Sequence, residues 1–151
     1  GPFGLYFFYS WLRKLENFKR KKETVEVEDY TIEHILPQNR NLSDEWKNSL
    51  GDNWELVHEK YLHTLGNLTL TGYNSELSDR PFLEKRDMEG GFGDSPIFLN
   101  RSLAKIGTWD EEAIKTRAET LSKVAVKVWA YKSVPPQFLI KKEEESPPNQ
   151  R

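Results

Sequence analysis

The stretch that decides the fold is Tyr30-Thr31-Ile32-Glu33-His34-Ile35-Leu36-Pro37-Gln38-Asn39. Most of its residues are β-branched, aromatic or apolar, which predicts a strand over residues 30–35. Pro37 ends the strand, because proline cannot donate a hydrogen bond to a neighbouring strand. A carboxylate and an imidazole, those of Glu33 and His34, stand side by side just before this end. The end of the strand is therefore the first candidate functional site.

A second stretch carries the matching strand, in Leu65-Gly66-Asn67-Leu68-Thr69-Leu70-Thr71-Gly72-Tyr73-Asn74. Residues 68–71 alternate apolar and hydroxyl side chains, as a half-buried strand does. Gly66 and Gly72 bracket them as turn residues. We therefore expect the two stretches to form a small antiparallel hairpin.

The rest of the chain is predicted to be mainly helical. Apolar residues at helical spacing predict a first helix over about residues 4–22. Ser43 is placed as the N-cap of a second helix, with Gly51 just past its end. Thr108-Trp109-Asp110-Glu111 reads as a capping box at the start of the last helix, which ends near Tyr131. Shorter helices or turns are expected at 54–65, 74–78, 81–86 and 97–106. The fold class is therefore α+β.

The composition limits the possible functions. The chain has 151 residues, enough for one domain with a real core, and its net charge of -2 provides no overall attraction to nucleic acid. The absence of cysteine excludes disulfides, thiolate zinc sites and a cysteine nucleophile. A bound metal would have oxygen and nitrogen ligands, which favours Mg²⁺ or Mn²⁺. No apolar run approaches the roughly 20 residues of a membrane span, and no secretory signal is visible, so a cytoplasmic location is expected.

The residue types in the two stretches suit hydrolysis of a phosphodiester, which needs a base and a cation. His34 suits the base, because imidazole titrates near neutral pH. Glu33 points to the other face of a regular strand, so it shares a pocket with His34 only where the strand ends or bulges. It would then offer a hard oxygen to Mg²⁺, and Asn74 would offer its amide oxygen to the same ion. Asn67 would hold the loop that carries His34.

The motifs resemble those of the HNH, or ββα-metal, nucleases. The residues that carry the resemblance are Ile32-Glu33-His34-Ile35-Leu36-Pro37-Gln38, Gly66-Asn67-Leu68-Thr69-Leu70 and Asn74. Over residues 28–131, the chain is more closely similar to the C-terminal nuclease domain of GmrSD-type modification-dependent restriction enzymes. That closer likeness adds Pro81-Phe82, Lys85, Trp109 and Arg117. It implies a ββα-metal core, in which a small hairpin is embedded among several helices.

The resemblance also implies a set of site residues. These are His34 as general base, Asn67 as the loop-holding residue, Glu33 and Asn74 as ligands of one Mg²⁺ or Mn²⁺ ion, and Lys85 near the phosphates. Arg86 is either a second phosphate-binding residue or, like Lys85, a charge on a helix surface. Two departures from the family pattern stand out: many HNH enzymes have aspartate where this chain has Glu33, and the segment between the two strands is long.

The implied function is cleavage or nicking of double-stranded DNA, from phage or modified, by a bacterial phage-defence protein. An N-terminal ParB-like nucleotide-hydrolysing domain usually precedes such a nuclease domain. Two other functions are kept open: a DNA-binding module with an inactive nuclease site, and a structural or interaction domain of a larger protein.

Several other residues have a structural and a functional interpretation. His63 is either a helix-end histidine or a residue that supports the site, and His58 is expected at the surface. Arg117 is expected to pair with a buried acid rather than to contact DNA. The core, rather than stacking on bases, is the expected place of Trp46, Trp54, Trp109 and Trp129. The basic run at 19–22 is either a solvated helix end or a phosphate-contacting patch.

The chain is divided into four segments. Gly1-Pro2 is typical of a cleaved purification tag, which predicts a fragment of a larger protein. Residues 3–27 form the first helix and a lead-in, and 28–131 form the HNH-like domain. Residues 132–151 are expected to be an extended tail, largely disordered after about 140.

Overall fold

The computed structural model describes residues 2–19 and 29–132. In chain order, these ranges form α1 (Pro2–Lys19), β1 (Thr31–His34), α2 (Asp44–Leu50), α3 (Trp54–Tyr61), β2 (Leu68–Thr71), α4 (Asn74–Leu77), α5 (Phe82–Asp87), α6 (Phe98–Arg101) and α7 (Glu111–Lys132). Short 3₁₀ turns lie at Leu65–Asn67, Phe92–Asp94 and Leu103–Lys105. The predicted lead-in at 20–28 and tail at 133–151 lie outside the described residues. None of the described helices is long and apolar enough to cross a membrane.

The two strands form the predicted antiparallel hairpin. Thr31 pairs with Thr71 and His34 pairs with Leu68, with no residue skipped between them. The hairpin and the helices around it confirm the mixed, mostly helical class with a two-stranded antiparallel sheet. Beyond the strand, the backbone N–H of Ile35 still donates to the carbonyl of Asn67 at 2.9 Å, so the chain stays close to β2 for one more residue.

The core is divided into two apolar clusters, and α7 joins them. One cluster surrounds the loop after β1 and includes Trp46, Trp109 and Ile114. The other packs α1 against β2, α6 and the second half of α7. Trp46 and Trp109 are almost fully buried, which confirms their predicted place in the core.

The caps of α2 agree with the sequence, whereas the start of α7 does not. The Ser43 hydroxyl accepts a hydrogen bond from the N–H of Trp46 at 3.3 Å, and Gly51 ends α2 with a φ of 88°. At α7 the Asp110 carboxylate accepts from the N–H of Ala113 at 2.9 Å, so Asp110 is the cap rather than Thr108. The reason is tertiary, because burial of Trp109 holds the preceding residues out of the helix.

Arg117 joins the hairpin to the helices, but not through the predicted buried acid. Arg117 is a buried residue of α7, and its guanidinium donates to the carbonyl oxygens of Leu65, Gly66, Leu68 and Leu99 at 2.7 to 3.3 Å. Burial lowers the pKa of Arg117 to about 9, so the group remains charged at neutral pH. Gly66 allows the chain before β2 to approach the backbone of α7 this closely, because a Cβ at this position would collide with the carbonyl oxygen of Ile114. The start of β2 is therefore held directly against α7.

We expect Arg117→Met to destabilise the domain by roughly 3 kcal/mol, because several buried carbonyls lose their donor together. The measurement is urea unfolding followed by tryptophan fluorescence. The control is Arg101→Met, at an exposed position on α6, which should change the free energy of unfolding by less than about 0.5 kcal/mol. Equal stability of the two variants would show that the carbonyl contacts of Arg117 contribute little.

Candidate active site

The loop after β1 is held by the side chain of Asn67, which is fully buried. Its amide oxygen accepts from the N–H of Leu36 at 2.8 Å and from the indole N–H of Trp109 at 3.0 Å. Its amide nitrogen donates to the carbonyls of Leu36 at 3.0 Å and Leu62 at 2.9 Å. All the usual hydrogen-bonding positions of a carboxamide are thus used. The geometry is that of a loop-holding residue.

His58 supports the same loop from α3. Its Nε2 lies 2.8 Å from the carbonyl oxygen of Pro37, and its side chain is buried. The expected surface position of His58 is therefore wrong. The signal was present in the sequence, because His58 follows Trp54 by four residues and precedes Tyr61 by three, which places all three on one face of α3.

His34 is the last residue of β1 and is 5 % exposed. Its Nε2 lies 3.0 Å from Nδ1 of His63, and the two rings meet edge to face at 84° with centroids 5.0 Å apart. His34 also lines a surface cavity of about 500 Å³, together with Thr31, Ile32 and Gln38. Burial, and then the charges of His63 and Lys85, lower the pKa of His34 to about 4. The ring is therefore neutral at physiological pH.

Glu33 faces away from His34 and forms a buried ion pair with Lys85. The Lys85 Nζ donates to Oε1 of Glu33 at 2.9 Å and to the carbonyls of His34 and Ile35, both at 3.0 Å. Burial raises the pKa of Glu33, and the charge of Lys85 opposes the rise. Burial likewise lowers the pKa of Lys85, and Glu33 opposes the fall. The pair holds the end of β1 against α5.

No bulge brings Glu33 and His34 into one pocket. The strand pairing is regular at both residues, so their side chains project from opposite faces of the hairpin. Glu33 reaches α5, whereas His34 reaches the segment after α3. The structure thus brings Glu33 together with Lys85, and His34 together with His63.

Asn74, the first residue of α4, lies against the edge of β1. Its Nδ2 donates to the Thr31 hydroxyl at 3.1 Å and to the Ile32 carbonyl at 2.5 Å. Both bonds use the amide nitrogen, so the amide oxygen points away from these two acceptors. The hairpin and the helix after it are thereby tied together.

The donors present are compatible with a divalent ion. Among the described residues, Oε2 of Glu33 is buried and has no hydrogen-bond partner. A buried carboxylate oxygen without a partner costs free energy, and a bound cation would remove that cost. The carboxylate of Glu33 and the amide oxygen of Asn74 are hard donors suited to Mg²⁺ or Mn²⁺. No group of three or more His, Asp or Glu side chains suited to a metal occurs in the described part of the chain. Such an ion would therefore keep several water or phosphate ligands.

The two basic residues of α5 have protein partners. Lys85 is fully buried, so its amine is directed at Glu33 and two carbonyls rather than at the surface. Arg86 forms an ion pair with Asp87 at 2.7 Å and donates to the carbonyl of Ile106 at 2.8 Å. A clue to the burial of Lys85 was its position three residues after Phe82, which puts both on the inner face of α5.

His63 is the residue of this site that the sequence left undecided. It follows α3 and is 29 positions away from His34 along the chain. The hydrogen bond of Asn67 to the Leu62 carbonyl and the pairing of β1 with β2 help to hold the two rings near each other. Its position just before the Leu65-Gly66-Asn67 motif was the one local signal.

A family model of the C-terminal domain of GmrSD restriction endonucleases matches residues 3–124 of the chain. This match covers most of the chain, so the chain belongs to that family, and its function is of the restriction-endonuclease type. The matched range includes α1 as well as the hairpin, α4 and α5. No curated protein and no solved structure matches the chain.

We expect Lys85→Met to destabilise the domain by about 3–5 kcal/mol, because it leaves the Glu33 carboxylate buried without its cation. Adding Glu33→Gln to this variant should recover part of the lost free energy of unfolding, since the double variant has no buried charge at this position. Urea unfolding of the four proteins of the cycle measures the coupling, and Lys123→Met, at an exposed position on α7, is the control. A double variant no more stable than Lys85→Met would contradict the assigned pair.

The pKa of His34 predicts a loss of stability in mild acid. An unfolded histidine titrates near 6.5 and His34 in the fold near 4, so between these values the unfolded chain binds more protons. The free energy of unfolding should therefore fall as the pH is lowered from 6.5 toward 4, by at most roughly 3 kcal/mol from this residue.

The measurement is urea unfolding across this pH range with EDTA present, for the wild type and for His34→Gln. The variant should lose less stability than the wild type over the same interval, since glutamine does not titrate. Parallel pH curves for the two proteins would show that His34 titrates normally.

Proposed function

We propose that this domain is a metal-dependent DNA endonuclease or nickase of the HNH type, within a bacterial phage-defence restriction protein. Family membership supports the nuclease class. The hairpin followed by α4 has the order of a ββα-metal core. The observation that carries the proposal is His34, a neutral imidazole at the end of β1 that lines a surface cavity.

His34 acts as the general base. Its ring is unprotonated at neutral pH, so it is ready to accept a proton from water. Its low pKa makes it a weak base in the free protein. A bound DNA phosphate would raise that pKa, because a nearby negative charge favours the imidazolium. Proton transfer would thereby be coupled to the presence of the substrate.

Glu33 and Asn74 are the residues that would hold one Mg²⁺ or Mn²⁺ ion. When bound, such an ion supplies positive charge to stabilise the phosphate and the leaving oxygen. Asn67 holds the loop after His34 by accepting from the N–H of Leu36. Lys85 orients the Glu33 carboxylate by donating to its Oε1. A direct contact of Lys85 or Arg86 with phosphate would require them to give up the partners described above.

The proposed partner is double-stranded DNA, from phage or modified. In the full-length protein, an N-terminal ParB-like nucleotide-hydrolysing domain would accompany the nuclease domain in the cytoplasm. Because the net charge is -2, contact with DNA would rely on local basic groups rather than on the overall field.

A second function is favoured by one observation. Glu33 is already paired with Lys85 and faces away from His34, as it would in a DNA-binding module whose nuclease site is inactive. Such a module binds DNA with a steep dependence on salt and does not cleave it.

We expect the wild-type chain to nick supercoiled plasmid with Mg²⁺ or Mn²⁺, and His34→Ala to reduce the rate by at least about 100-fold, because the general base is lost. Asn74→Ala should raise the Mn²⁺ concentration needed for half-maximal cleavage. Asn48→Ala, at an exposed position on α2, is the matched control and should retain wild-type activity.

DNA binding is measured in parallel by fluorescence anisotropy across a salt series. Full activity of His34→Ala with metal supplied would refute the assignment of the base. Binding without cleavage by the wild type would favour the inactive module, and the absence of both would favour a structural or interaction domain.

A further inference from the structure

The direction of the hydrogen bond between His34 and His63 decides whether His34 can act as a base. Only one proton can lie between Nε2 of His34 and Nδ1 of His63, because the two nitrogens are 3.0 Å apart and share one hydrogen bond. If His34 donates, its own Nδ1 carries a lone pair. If His63 donates, the neutral His34 must carry its proton on Nδ1, and no nitrogen is left to accept a proton from water.

We propose that His63 is the positioning residue of His34: its Nδ1 accepts the Nε2–H of His34 and thereby fixes the tautomer whose Nδ1 is the base. This inference rests on the proposed nuclease function. His63 contacts neither the substrate nor a metal in this scheme. It acts through the hydrogen bond alone, as an orienting group does for a catalytic histidine.

The position of His63 is built into the fold. Asn67 donates to the carbonyl of Leu62, next to His63, with the same amide nitrogen that donates to the carbonyl of Leu36, two residues after His34. On the other side of His63, the hydroxyl of Thr64 donates to the carbonyl of Tyr61 at 2.7 Å. One buried side chain thus sets the positions of both segments that carry the imidazoles.

The surroundings of His63 also suit the proposed tautomer. If its Nδ1 is an acceptor, its neutral ring must carry a proton on Nε2, which needs a polar or hydrated environment. His63 is exposed and lines a surface cavity of about 390 Å³, together with Glu55 and Glu59. His34 itself lines a different cavity, formed with Gln38. His63 therefore has access to solvent at a cavity that His34 does not line.

The reaction step follows from this arrangement. A proton of water moves to Nδ1 of His34, the resulting hydroxide oxygen forms a bond to phosphorus, and the bond from phosphorus to the leaving oxygen breaks. Solvent then protonates the leaving oxygen. The imidazolium formed on His34 keeps its Nε2–H bonded to His63, so His63 does not change its protonation state.

The test begins with a measurement that does not need activity. In metal-free protein labelled with ¹⁵N-histidine, long-range ¹H–¹⁵N spectra report which nitrogen of His34 is protonated near pH 7. We expect the Nε2–H tautomer in the wild type. We expect a mixture of tautomers in His63→Ala, and recovery of the Nε2–H tautomer in His63→Asn, whose amide oxygen can replace Nδ1 of histidine.

Plasmid nicking is then compared for the same proteins. We expect His63→Ala to lower kcat at least about tenfold with DNA affinity unchanged within about twofold, because only the base is affected. His63→Asn should regain most of the rate. Glu59→Gln, in the wall of the same cavity, is the control and should match the wild type.

The outcomes separate this inference from the proposed function. An Nδ1–H tautomer of His34 in the wild type would overturn the inference whatever the activity, and so would an unchanged tautomer in His63→Ala. An Nε2–H tautomer that depends on His63 would support it even if the wild type does not cleave DNA, in which case only the nuclease proposal fails. The wild-type spectrum decides the direction of the bond even if the alanine variant does not fold.

Discussion

The carboxamide of Asn67 joins three parts of the molecule that are distant in sequence. It accepts from the indole N–H of Trp109 just before α7, it bonds both backbone groups of Leu36 after β1, and it donates to the carbonyl of Leu62 after α3. An amide buried with all its hydrogen bonds made is stable, whereas one that loses a partner is costly. The loop, the two histidines and the last helix are therefore expected to move together or not at all.

A second constraint acts on the opposite face of the hairpin. Lys85 neutralises Glu33 and also donates to the carbonyls of His34 and Ile35, where the strand ends and ordinary sheet bonding stops. Two opposite charges out of water are kept only where their geometry is well satisfied. The two side chains therefore lie on opposite faces of the hairpin, with the Glu33 carboxylate buried against α5 and the His34 imidazole beside His63.

Much of this arrangement was predictable. Short-range patterns predicted the strands, the N-cap at Ser43 and the end of α7 near Tyr131, because side-chain period and capping depend on neighbours within a few residues. The motif around His34 pointed to the family that the comparison confirmed. The prediction failed for His58, whose place on the inner face of α3 could be inferred from Trp54 and Tyr61 but whose partner, the Pro37 carbonyl, lies far along the chain. It also failed for the cap of α7, where Asp110 rather than Thr108 caps the helix.

By itself, the sequence determined the mixed class, the hairpin, the family and the position of the candidate base. These features depend on residue type and on spacing along the chain, because periodicity and motif spacing are local. Only the tertiary structure decided which groups meet: Lys85 with Glu33, His63 with His34, and Arg117 with backbone carbonyls rather than with an acid. The direction of a side chain and the partner of a buried polar group depend on contacts between distant segments, which no local pattern specifies.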